Sequence, residues 1–181
     1  RNSANAKLSK TASPGNSLID INVPIEAQNQ FQTAKTILAS GKKEKIREAV
    51  QHLEKAVTIH PKYLEAQMTL GYALMDVGEW SKAEKALRSA IEINPDASTA
   101  YLALGEIYRQ QKNYSAAEEV LLQGLKLKDQ SAAGHFALAK VYFEKAPSTG
   151  DETRFRQSLE SSWKEVNRAL ELDPKLARAH L

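Results

Sequence analysis

Four histidines, His52, His60, His135 and His180, are the side chains whose ordinary titration range suits acid–base work or metal ligation near neutral pH. Helical metal sites present ligands three or four residues apart, and no two of these histidines have that spacing. Cysteine is absent, which excludes disulfides and thiolate metal sites. The acidic pairs Glu118-Glu119 and Asp151-Glu152 fall on polar helix faces and are not spaced for acid–base work. Serines sit in turns and near the N-terminus without a base beside them, and no glycine-rich run could cradle a phosphate. His60, just before Pro61, suits a helix C-terminus, where a cation is favoured. His135 takes an interior helix slot. The expectation is a protein that is no enzyme and has no catalytic residue, metal or cofactor.

The remaining chemistry is contact chemistry, and it depends on how helices repeat. Leu70-Gly71, Leu104-Gly105 and Leu138-Ala139 recur at one constant interval. Ala66, Ala100 and Gly134 keep the same step, as do Leu53, Leu87 and Leu121. So do Ala56, Ala90 and Gly124, and Ile59, Ile93 and Leu127. Pro61 and Pro95 are separated by that interval too, and Asp129 takes the next slot. Within a unit, Ala66, Leu70, Ala73-Leu74 and Val77 lie three or four apart and give one apolar helix face. Ala83, Leu87, Ala90 and Ile91 do so again after the Gly78-Glu79 break. Each unit is two short helices joined by a tight turn, with small residues where backbones approach and proline closing the unit because it cannot continue a helix.

This pattern resembles the tetratricopeptide repeat family, whose period of about 34 residues is the interval between these columns. The residues that carry the resemblance are Leu70, Gly71, Ala83, Leu87, Ala90 and Pro95 in one unit. In the next they are Tyr101, Leu104, Gly105, Tyr108, Tyr114, Ala117 and Leu121, with departures at Gly124 and Asp129. The aromatic at Tyr101 is Gln67 and His135 in the neighbouring units. The resemblance implies an all-α fold, a right-handed superhelical solenoid of helix–turn–helix repeats.

Four repeats are expected over 24–174, at about 24–63, 64–97, 98–131 and 132–174. The first carries a turn three residues longer around Lys42 and Lys43, after a helix burying Ala27, Phe31, Ala34, Ile37 and Leu38. The fourth carries 11 extra residues. These predict a long second helix from about 151 to 172, started by a Thr149–Glu152 capping box. Its core stripe is expected to be Phe155, Leu159, Trp163, Val166 and Leu170. Residues 175–181 read as the opening of a further or capping helix. Residues 1–23, rich in Ser, Asn, Ala and Gly, read as a linker or extended segment whose one apolar cluster is Leu18-Ile19-Asp20-Ile21-Asn22-Val23. A start at Arg1 and a stop in mid-pattern fit a piece of a longer protein. Because Gly124 shares its column with Ala56 and Ala90, alanine is expected to fit there and stabilise the helix.

Stacked in the family's manner, the first helix of each unit lines a concave surface. Helical phase assigns Phe31 and Lys35, then Met68, Tyr72 and Met75, then Leu102, Glu106 and Arg109, then Phe136, Lys140 and Phe143 to that groove. So many large apolar side chains on one surface point to a binding face, and methionine suits adaptable contacts. The expected function is a non-catalytic scaffold that holds an extended peptide or helix of a protein partner. The alternatives are a homo-oligomerisation module and, by fold analogy with bacterial repeat proteins, an envelope or pilus assembly factor. The chaperone-adaptor class uses lysine, asparagine and arginine at set groove places. Here those places hold Phe31, Lys35, Thr69, Thr99 and Ala103, of which only the lysine fits.

Composition argues the same way. At 42% hydrophobic and 26% charged it is that of an ordinary soluble protein, with no apolar run near the roughly 20 residues of a membrane span. The net charge of +3 includes +2 from the first 24 residues, which leaves no basic stripe for nucleic acid. The cluster Lys42, Lys43, Lys45 and Arg47 is broken by Glu44 and reads as a solvated loop. Cytoplasmic and bacterial periplasmic or envelope locations fit equally.

Overall fold

The computed structural model describes residues 23–148 and 150–175, and the described residues form eight α-helices and no strand. They are α1 (Ile25–Ala39), α2 (Ile46–Ile59), α3 (Leu64–Asp76), α4 (Trp80–Ile93), α5 (Ser98–Gln110), α6 (Tyr114–Leu127), α7 (Ala132–Lys145) and α8 (Glu152–Leu172). Consecutive helices pack as hairpins, α1 on α2 through α7 on α8, and each hairpin stacks on the next through α2–α3, α4–α5 and α6–α7. The first helices also touch in series, α3 with α5 and α5 with α7, while no two second helices pack comparably. An inner layer packed tighter than the outer one makes the inner side concave. The chain is thus a solenoid of helical hairpins. The expected capping residue Thr149, the segment 1–22 and the residues after Lys175 lie outside the described residues.

Close packing follows from the small-residue columns. Leu53, Leu87 and Leu121 are wholly buried, each worth about 1.5–3 kcal/mol in transfer from water. Leu87 sits in the notch left by Gly71, where a Cβ would lie 2.6 Å from its Cγ, and Leu121 fills the notch of Gly105 at 2.5 Å. Gly124 departs from the sequence expectation. A Cβ there would lie 2.9 Å from Tyr101 Cβ and 3.4 Å from the Ser98 carbonyl oxygen. Both belong to the backbone-anchored part of α5, so alanine does not simply fit although Ala56 and Ala90 fill the same column. The α5–α6 hairpin is closed more tightly than sequence alone suggested.

Turns are set by left-handed residues. Gly41 and Gly78 take φ +66° and +76°, and Lys112, one repeat after Gly78, takes φ +59° in the corresponding turn. The three extra residues of the first unit form a 3-10 turn, Lys43–Lys45. In the last unit the 11 extra residues divide: seven lengthen α8 relative to α6, three the linker, and one α7. The N-cap of α8 is Asp151, whose carboxylate accepts from the Thr153 and Arg154 amides at 2.7 and 3.4 Å.

That shift also corrects the expected core stripe of α8. Counted back from their ends, α8 and α6 place Ser162 opposite Ala117 and Ala169 opposite Gly124, and these two small residues are buried. Ser162 Oγ donates to the Ala139 carbonyl at 2.9 Å. Trp163, one residue on, turns outward and is 68% exposed. An apolar i, i+4 pattern was right for the face but wrong for this residue, because the small column lies one residue before it.

Polar residues lock successive hairpins. Tyr108 Oη on α5 donates to Glu84 on α4 at 2.6 Å, and Tyr142 Oη on α7 donates to Glu118 on α6 at 3.1 Å. Arg88 bonds both Glu84 and Tyr108, and Lys145 reaches Glu118 at 2.7 Å. The Tyr108 bond, with the Arg88 pair, holds the Glu84 carboxyl below its ordinary value against the opposing effect of burial. Burial, reinforced by the neighbouring glutamates, pushes the Tyr108 and Tyr142 phenols up. Where the family places an aromatic, Gln67 Nε2 donates to the Pro61 carbonyl at 2.9 Å and His135 Nε2 lies 2.9 Å from the Asp129 carbonyl. His135 Nδ1 faces Glu165 at 2.6 Å, so its role is to tie α7 to α8.

Candidate binding groove

The inner surface divides into an apolar half and a charge-paired half. At the first, Phe31, Lys35 and Leu38 of α1 face Leu64, Glu65, Met68 and Thr69 of α3 across an open pocket of about 610 Å³. Asn94, Ala97 and Thr99, from the α4–α5 turn and the first turn of α5, close its far end. α1 presents Phe31, Lys35 and Leu38 because they lie on one helical stripe, and Ala27 and Ala34 are buried against its partners. Phe31 leans on Tyr63 with ring centroids 4.9 Å apart and tilted by 59°. The Lys35 ammonium lies 5.6 Å from the Phe31 ring centroid. Among the described residues Lys35 is in no ion pair, so its charge is available at the pocket wall.

Further along, the charges satisfy one another. Arg109, with a side chain only 12% exposed, bonds Glu106 at 2.5 Å on its own helix and Glu144 on α7. Lys140 Nζ approaches Glu106 at 3.8 Å. Burial alone would raise the Glu106 carboxyl, but the bonds from Arg109 and Gln110 and the charge of Lys140 outweigh it and hold it low.

Of the residues expected in the groove, the structure brings Phe31, Lys35 and Met68 to one pocket. Tyr72 is 39% exposed and donates to the Thr99 carbonyl at 3.3 Å, beside that pocket. Met75 is half-buried against the core. Leu102 points between helices, 3.3 and 3.8 Å from where Cβ atoms on Gly134 and Gly124 would lie. Glu106, Arg109 and Lys140 form the charge network, Phe136 is half-buried, and Phe143 stands 63% exposed at the far end. Sequence reasoning missed Asn94 and Ala97, which sit in a turn and reach the pocket only through the stacking of α5, and Glu144, which meets its partner Arg109 from the following unit. Among the described residues no cluster of three potential ligands could hold a metal ion, and no helix is long and apolar enough to cross a membrane.

Comparison with known proteins agrees with this architecture. Two family models, each described as a tetratricopeptide repeat, match residues 68–132 and 42–92, together spanning half of the chain. No curated protein matches the sequence. Among solved structures, a crystal structure of MamA superposes with TM-score 0.70 at 22% identity, covering 84% of this chain and 81% of that one. TTC0263, a thermophilic TPR protein in Thermus thermophilus, gives 0.64 at 25% identity, covering 82% and 75%. The first TPR of Spaghetti (RPAP3), bound to the HSP90 peptide SRMEEVD, gives 0.63 at 18% identity, covering 71% and 99%. At these identities the likeness is one of fold.

Proposed function

Since this chain belongs to the tetratricopeptide repeat family, we propose that it is a non-catalytic scaffold that holds an extended peptide or helix of a protein partner on its inner surface. The observation that supports this reading is the open apolar pocket of Phe31, Leu38, Leu64 and Met68 with the Lys35 ammonium at its wall. A solvated surface gains nothing from such a concentration of large side chains, whereas a bound apolar residue would cover it. The charge-paired half adds position rather than affinity, because its cations are already engaged by Glu106 and Glu144.

That division also separates the expected ligand from the one in the RPAP3 complex. The peptide in that complex, SRMEEVD, carries three carboxylate side chains. Among the described residues the pocket is lined by one cation outside any ion pair, Lys35, so its ligand has apolar anchors with a single acidic neighbour. The direct test is selection from a displayed random peptide library on the full chain and on its Met68→Glu variant, with helicity checked by circular dichroism. Peptides enriched on the parent should lose at least about tenfold in affinity on the variant, the cost of placing a charge against an apolar anchor. Equal binding to both proteins would refute the groove reading.

A second reading, self-association, is favoured by two exposed aromatics on the last hairpin, Trp163 and Phe143. Light scattering over a concentration series decides it: a mass that rises with concentration, and falls back in Trp163→Gln, supports a homo-oligomer.

A further inference from the structure

The pocket has a candidate occupant within its own chain. We propose that Leu18, Ile19, Asp20 and Ile21 are a ligand of the Phe31–Met68 pocket in the same molecule, so that a partner must displace them. This rests on the reading of that pocket as a peptide site.

Three observations carry it. The first is where the chain enters α1. Gln28 Nε2 donates to the Val23 carbonyl at 2.8 Å. Gln28 lies on the same stripe of α1 as Phe31, Lys35 and Leu38, so this bond holds the incoming chain at the edge of the inner surface.

The second is reach. An extended chain spans about 3.3–3.6 Å per residue. From Ile25, Ile21 can therefore stand up to about 14 Å away and Leu18 up to about 24 Å. Along α1, at about 1.5 Å per residue, Phe31 lies about 9 Å from Ile25 and Leu38 about 20 Å. A chain that doubles back beside α1 thus sets Ile21 opposite Phe31 and Leu18 opposite Leu38, within reach in both cases.

The third is chemistry. The segment holds three branched aliphatic residues around one carboxylate, and among residues 1–24 Asp20 is the only acidic one. The pocket is apolar with one ammonium, Lys35 on α1, and one carboxylate, Glu65, across from it on α3. Asp20 beside α1 would meet Lys35 and stand away from Glu65. A tethered ligand needs little intrinsic affinity, since a short linker supplies an effective concentration of order millimolar.

The two methionines of the chain, Met68 and Met75, both lie on α3, and only Met68 lines the pocket. Carbon-13 methyl labelling of methionine therefore gives one reporter inside the site and one outside it. In the full chain, Leu18→Ser with Ile21→Ser should move the Met68 methyl resonance and leave Met75 nearly in place. A synthetic peptide with the sequence of residues 15–24 should bind this double variant and return Met68 toward its original position. The same peptide should bind the parent chain about tenfold more weakly, because the tether competes. A Met68 resonance indifferent to the double substitution overturns the proposal. So does a Met68 position that varies with protein concentration in the parent, which would assign the segment to a neighbouring copy. Failure of the underlying reading is separable. If Met68 responds to the double substitution but no library peptide binds the double variant, the pocket is a seat for this segment and not a partner site. If library peptides bind while Met68 ignores the substitutions, only the intramolecular ligand falls.

Discussion

Replacing Gly124 by alanine sets two effects of known size against each other. Alanine inside a helix is favoured over glycine by about 0.8–1 kcal/mol. Against this, the new Cβ would lie 2.9 Å from Tyr101 Cβ, while carbons are comfortable at about 3.5–4.0 Å. Relief of that overlap, about 0.6 Å or more, cannot come from a rotamer, because both atoms are fixed by their own backbones. The second near neighbour is the Ser98 carbonyl oxygen at 3.4 Å, so α5 blocks retreat as well. Separating α5 from α6 also loosens Leu121, which fills the Gly105 notch between the same two helices. Overpacking of this kind costs about 1–3 kcal/mol. The net expectation is a loss of about 1 kcal/mol, seen as a melting temperature lower by about 2–4 °C for a chain of this size. Thermal denaturation followed by far-ultraviolet circular dichroism measures it, with Ala90→Gly as the reciprocal control that loses helix propensity. A Gly124→Ala protein that melts at or above the parent would refute the tight closure of this hairpin.

Further outcomes rest on the same geometry. Tyr108→Phe removes the bond to Glu84 between hairpins and should cost about 1–2 kcal/mol at neutral pH. Because the Glu84 carboxyl is held below its ordinary 4.5, that stabilisation is present above pH 4.5 and lost as pH falls through the lowered value; an acid titration should show the parent losing more stability than Tyr108→Phe. The raised Tyr108 and Tyr142 phenols act in the opposite range: their contribution is whole below pH 10 and lost as pH rises beyond it, to be read from alkaline melts of Tyr142→Phe. Trp163→Gln should shift stability by less than about 0.5 kcal/mol and remove a solvent-exposed tryptophan emission, whereas a buried tryptophan would cost several kcal/mol. Lys112→Gly should raise the melting temperature by about 2–4 °C, since a non-glycine residue at φ +59° costs about 1 kcal/mol.

Much of the fold could be read as spacing. Leucine and alanine at a constant interval identify helices, their inner faces and their partners, because burial acts on every turn alike. The long α8 was visible as surplus length, but not its register. Trp163 is apolar and Ser162 polar, and only the docking of α8 on Ala139 shows that the smaller residue belongs inside. Gly124 was misjudged for a related reason: column neighbours report which residue types are tolerated, not how closely one particular pair of helices approaches. At the groove, Phe31, Lys35 and Met68 were legible because they share helical phase. Asn94 and Ala97 were not, since a turn has no period. The Arg109–Glu106 pair could be read three residues apart, but its link to Glu144 exists only after stacking.

The junctions between hairpins differ in kind along the chain. Val50 and Leu74, at the first, are both buried and apolar; the matching places one repeat on are the hydrogen-bonded Glu84 and Tyr108, and after them Glu118 and Tyr142. A chain of near-identical modules risks joining the wrong neighbours as it condenses. Here a mistaken union of the first module with the third would press an aliphatic surface against a phenol and strand its hydroxyl, and the converse error would bury a carboxylate without a donor, a penalty of several kcal/mol. The change from a greasy seam to polar ones therefore works as an address for the first module, whose apolar edge matches only the Leu74 face of the second. Assembly is steered to seat the first module on the second, and a union that skips the second module is rejected at that edge rather than tolerated as a defect.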